Sequence, residues 1–149
     1  MFQRIQTVYL FLVCVCMGVS IFSPLAIMEC NGSTVELNAF SFYKGVDIAF
    51  ETIVLFVIGL ISSLISLIAI FLFKNRKKQI RITIWNIIIM IVFIVYLLYL
   101  SFMKGDVVGI FTKFSWGALL PLIAIIFAII SIKRIKKDEE LVRSLERLR

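Results

Sequence analysis

The sequence contains no histidine at all. That removes both the commonest general base near neutral pH and the commonest metal ligand. Cysteine is scarce: Cys14 and Cys16 fall inside a first apolar run, and Cys30 stands just beyond it. Two residues apart on a helix is about 200° of rotation, so Cys14 and Cys16 point different ways and do not pair locally. Cys30 has no second cysteine near it for thiol–disulfide exchange. Charge is missing where an ion pump or a proton-coupled transporter needs it. Residues 52–73, 82–103 and 114–132, and everything between Arg4 and Glu29, lack Asp, Glu, Lys and Arg. Coupling normally rests on an ionisable group within the membrane, and Glu51, at the rim, is the only near candidate. There is no phosphate-cradling Gly-Lys loop and no nucleophile–base pair. These absences argue against an enzyme, and no catalytic residue, cofactor-binding residue or metal ligand is assigned.

What the chain has instead is oil. Of its 149 residues 62% are hydrophobic, and the mean hydropathy is +1.08. Soluble domains are about 45–50% apolar, and one this small has no core large enough to hide the excess. The four charge-free windows predict an all-α membrane protein with four transmembrane helices, over about 9–28, 52–73, 82–103 and 114–132. The net charge of +7 does not point to nucleic acid, because the cations are grouped at particular connections.

The first run is long for a secretory signal and no Ala-x-Ala site follows it, so it is read as a retained helix that Pro24 ends or bends. Residues 29–50 form an external loop. Asn31-Gly32 is a turn signal, and Thr34 to Tyr43 alternates among strand formers, so a short β-hairpin and an irregular loop both stay open. In the second window Gly59, Ser62, Ser63 and Ser66 fall three and four apart and are expected to share a face. Gly117, Pro121, Ala124 and Ala128 follow a 4-3-4 spacing in the fourth. Small residues at such spacing let helix backbones approach, and a polar substrate path is the sharper alternative for the serines. Pro121 cannot donate to the carbonyl of Gly117, which predicts a modest kink. Asn86 is expected to bond another helix. Trp85 is placed near the inner interface, and Tyr96, Tyr99 and Trp116 near the outer one.

The cations divide unevenly. Lys74, Arg76, Lys77, Lys78 and Arg81 fill one connection, read as a loop over 74–81. The tail, 133–149, carries Lys133, Arg134, Lys136, Lys137, Arg143, Arg147 and Arg149. With Arg4 this makes thirteen cations on one side against Lys44, Lys104 and Lys113 on the other. The positive-inside rule then puts both termini in the cytoplasm. The tail is expected to continue the fourth helix, with Leu141, Val142, Leu145 and Leu148 as an apolar stripe. That stripe is either a solvated face or a docking face for a partner helix.

Three stretches carry a resemblance. They are Met1 to Leu10, the central Phe71-Leu72-Phe73-Lys74-Asn75-Arg76-Lys77-Lys78-Gln79-Ile80-Arg81, and the close, Leu120 to Ala124 with Ile135 to Ser144. The chain resembles, over nearly its whole length, the four-helix membrane proteins of Gram-negative bacteria catalogued only as a domain of unknown function. Leu145-Glu146 departs from the Ala-Asp of that pattern. The resemblance implies an inner-membrane location and brings no activity and no catalytic residue.

The expected role is a non-enzymatic accessory or scaffold protein that presents Arg4, the 74–81 cations and the tail to anionic membrane lipid or a protein complex. A small transporter or lipid-handling protein, working at the Ser62/Ser66 seam and Pro121, is the second expectation. A redox sensor using Cys30 is the third.

Overall fold

The computed structural model describes residues 3–30, 33–39, 48–103 and 110–147. Helix α1 spans Gln3–Phe22 and runs into strand β1, Pro24–Cys30. Strand β2 is Ser33–Asn38, and helix α2 is Ile48–Phe71. A 3₁₀ turn, Leu72–Lys74, leads to helix α3, Arg76–Met103. Strand β3, Ile110–Phe114, and a second 3₁₀ turn, Trp116–Leu119, precede helix α4, Leu120–Arg147.

The helices form a ring in which α1 packs on α2 and α4, and α3 packs on the same two. Connectivity fixes their sense. The sheet lies where α1 and α3 finish and where α2 and α4 begin, so the chain runs up, down, up and down. Three helical stretches, Thr52–Phe71, Arg76–Phe102 and Trp116–Asp138, are long and apolar enough to cross a membrane, and Thr7–Phe22 is a shorter apolar helix. All twenty residues of α1 rise about 30 Å, close to the thickness of a hydrocarbon core.

The core holds Val13, Met17 and Ile21 from α1, Leu55 from α2, Met90 and Phe93 from α3, and Ala124 and Ala128 from α4. Outward-facing side chains such as Phe11, Leu64, Ile88, Val95 and Ile126 are just as apolar. A helix greasy on both sides suits lipid as its solvent, since water would reject the outer face.

Several expectations need correction. The fold is not purely helical, because three antiparallel strands form a sheet of order β2-β1-β3. The first span does not reach Met28. Pro24 brings no N–H and pushes Ser23 out of helical geometry, so α1 stops at Phe22 with the Ser23 hydroxyl donating to the Val19 carbonyl at 2.7 Å. The apolar residues beyond it belong to β1, whose Leu25, Ala26 and Met28 are buried in the core. They are oily because the sheet closes one end of the bundle. The hairpin exists: β1 and β2 pair antiparallel, Glu29 facing Thr34 and Ile27 facing Glu36. Residues 40–43 of the expected alternation lie outside the described residues.

The fourth helix begins later than expected. Phe114 and the four residues before it form β3, and Pro121 is only the second residue of α4. In a first turn the missing N–H has no helical partner to lose, so Pro121 causes no interior kink. Lys74–Arg81 is also not one loop. Helix α3 starts at Arg76, since Arg, Lys, Gln and Ile are all competent helix formers. The tail continues α4 through Arg147 without a break.

Candidate functional site

Two regions concentrate polar groups, one inside the bundle and one at its end away from the sheet.

The inner region is the seam between α2 and α3. The Ser62 hydroxyl donates to Asn86 Oδ1 at 2.8 Å, and Asn86 Nδ2 donates to Ser66 Oγ at 2.7 Å. Ser66 also approaches the Ser62 carbonyl at 3.1 Å. Nearer the basic end, Gln79 Nε2 donates to the Ala69 carbonyl at 3.0 Å, and Thr83 donates to the Gln79 carbonyl at 2.9 Å. All five side chains are buried. Ala69 sits in the last turn of α2, which has no basic residue to meet its unpaired carbonyls, so Gln79 caps that helix from its neighbour. Burial in an apolar bundle makes each unmet polar group expensive, so the groups meet one another.

Asn86 therefore does bond another helix. Gln79 and Thr83 were not singled out from sequence, although Gln79, Thr83, Asn86 and Met90 recur at 4-3-4 spacing and lie on one buried stripe.

The serine seam itself divides. Ser62 and Ser66 face α3, whereas Ser63 lies 3.3 Å from the Cys14 sulfur and donates to the Cys14 carbonyl at 3.4 Å, both on α1. One residue is about 100° of helix, enough to send Ser63 to the other neighbour. The expectation that all four share one face is corrected to that extent. Gly59 lies between the two. A Cβ there would stand 2.8 Å from Ile21 Cγ1 on α1 and 3.3 Å from Phe93 Cε2 on α3.

On α4, Pro121, Ala124 and Ala128 are buried as a packing stripe. Gly117, in the turn before it, is held against β1, where a Cβ would collide with the Pro24 carbonyl. Farther along the same stripe Ser131 is fully buried, and its hydroxyl has no hydrogen-bond partner among the described residues.

The basic region comprises the start of α3 and the later part of α4. Lys77, Lys78 and Arg81 are exposed and Arg76 is half-buried. Lys133, Arg134, Lys136 and Lys137 are exposed on α4 around the buried Ile135. No acidic residue occupies the first turn of α3. Cations there oppose the helix dipole, so they are not placed to stabilise the helix. Trp85 follows Arg81 by one turn on the same exposed face and is 60% exposed. The side chains of Arg4, Lys74 and Arg143 lie outside the described residues, as do those of Leu141, Val142 and Leu145 and all of Leu148. The backbone places residues 141–147 on α4.

Among the described residues no group of three His, Cys, Asp or Glu side chains is placed to hold a metal ion. Cys14 and Cys16 are free thiols, and the side chain of Cys30 lies outside the described residues.

A family model described as Domain of unknown function (DUF4293) matches residues 2–148. The chain belongs to this family. No curated protein matches the chain. The DUF4293 match spans both regions described above, from α1 through the basic turn to the end of α4.

Proposed function

We propose that this DUF4293 member is a four-span protein of the bacterial inner membrane, with both termini cytoplasmic, and that it works by association rather than catalysis. It presents a basic cytoplasmic surface, Arg76, Lys77, Lys78 and Arg81 with Lys133, Arg134, Lys136 and Lys137, to anionic phospholipid headgroups. The observation that carries this reading is the pairing of Arg81 and Trp85 on one exposed face of α3. Indole rings favour the membrane interface, and a cation one turn farther out stands at phosphate level. From Trp85 to Phe102 the helix rises about 26 Å, so both belts fit a single bilayer. Each cation near an anionic surface contributes about 1 kcal/mol. An accessory or scaffold role follows, in which lipid fixes the basic end and the projecting part of α4 is offered to a larger complex.

The small-transporter reading is second. Its support is the buried polar stripe, but Ser62, Ser66 and Asn86 bond one another, and packed contacts rather than a cargo explain them.

Purification from native membranes in mild detergent tests the proposal. Anionic phospholipid should be retained by the wild type and lost when Lys77, Lys78 and Arg81 become Gln. A bare monomer holding neither lipid nor protein would contradict it.

A further inference from the structure

Strand β3 carries an irregularity that changes where its side chains point. Lys113 faces Ile27 and Phe111 faces Met28, so Thr112 is an extra residue with no partner on β1. In a regular strand, residues three apart lie on opposite faces. The bulge at Thr112 instead puts Phe111 and Phe114 on one face, that of Ala26 and Met28, which turns towards the bundle. Lys113 stays with Ile27 and Glu36 on the other face.

The two phenylalanines meet at a ring separation of 4.6 Å, and Phe102 at the end of α3 joins them at 5.1 and 6.2 Å. The bundle covers Phe111 in part and leaves the outer side of the cluster open. Phe102, Phe114 and Trp116 remain 59%, 41% and 56% exposed. Their exposed side continues the lipid-facing stripe of α3 through Ile88, Val95 and Tyr99. It also lies about 26 Å along α3 from Trp85, where the opposite interface of the same bilayer is expected.

We infer that β3 is an interfacial anchor, whose bulge turns Phe111 and Phe114 down into the bilayer leaflet at the sheet end of the bundle. The occupant is lipid, because the cluster is continuous with a lipid-facing surface that includes the exposed Tyr99, one turn before Phe102 on α3. Lys113, on the opposite face, is left towards headgroup phosphate and water. The sheet therefore lies on the membrane as a plate held at its β3 edge. This inference rests on the membrane-spanning reading but not on which side is cytoplasmic.

Single-tryptophan variants in phosphatidylcholine vesicles, brominated near the headgroup end of the acyl chains, test it. In a Trp85→Phe/Trp116→Phe background, Phe114→Trp emission should fall about twofold relative to unbrominated lipid and resist aqueous acrylamide, as an interfacial ring does. Lys113→Trp should behave in the opposite way. Phe111→Trp reads the same face as Phe114→Trp if the latter does not fold. Native Trp85, alone in Trp116→Phe, reports the span. If Trp85 is quenched by brominated lipid but positions 114 and 111 are not, the anchor is wrong and the span stands. If none of these positions is quenched, both fall. Shielding of position 114 from lipid and acrylamide alike would mean a protein partner covers the cluster and would also overturn the inference.

Discussion

Ser20 donates its hydroxyl to the Gly117 carbonyl at 3.1 Å, tying the last turn of α1 to the turn that opens α4. In the same corner the Ser115 N–H donates to the Leu25 carbonyl at 3.0 Å. Gly117 lies so close to the Pro24 carbonyl that a side chain has no room. The obstacle is backbone rather than a movable side chain. Gly117→Ala should therefore cost about 2 kcal/mol or more, and Ser20→Ala only about 1 kcal/mol. Thermal unfolding in detergent checks the order of the two effects.

The Asn86 network should be worth less than its buried geometry implies. When Asn86→Leu removes the amide, both serines can turn their hydroxyls to carbonyls of their own helix, as Ser66 already does towards Ser62. Interhelical hydrogen bonds in membranes average about 0.6 kcal/mol and reach about 1.7. A double-mutant cycle of Asn86→Ala with Ser66→Ala should return a coupling in that range. A coupling indistinguishable from zero would mean that the contact does not hold the seam.

Gly59 offers a test of packing. Its neighbours are the far side chains of Ile21 and Phe93, which can give way partly. Gly59→Val is expected to destabilise by about 1–3 kcal/mol through overpacking. Ile21→Ala should relieve part of that cost, so the double variant should be more stable than the sum of the singles. Chemical unfolding of the four proteins measures this directly.

The helices were readable from the lack of charge alone, and the polar seam was half readable. Asn86 stands out as one amide in a charge-free window, whereas Gln79 falls among the cations of the expected 74–81 loop, and Thr83, just inside the 82–103 window, is a single hydroxyl with nothing to mark it. The strands were the hard part. Leu25, Ala26 and Met28 are as oily as a membrane span because they are buried under the bundle end, so hydropathy merges β1 with α1. Only Pro24 marks the boundary. β3 is harder still, since the bulge at Thr112 breaks the alternation that would have announced a strand. The site lacks any ionisable group within the membrane windows that would name a reaction, and the family brings none.

The basic end should bind anionic membranes in a salt-sensitive way. Replacing Lys77, Lys78 and Arg81 by Gln removes about 1 kcal/mol each near the surface. Retention of anionic phospholipid should fall by roughly two decades at low salt and by less at high salt, where screening already weakens the wild type. Lipid analysis of protein purified at two ionic strengths reads both effects.

Reporter fusions test the orientation on which the cytoplasmic surface depends. A reporter that is active only in the cytoplasm, fused after Arg149, should be active. The same reporter inserted within residues 104–109, between α3 and β3, should be silent. A silent Arg149 fusion together with an active 104–109 insertion would place the basic end on the wrong side of the membrane and contradict the account.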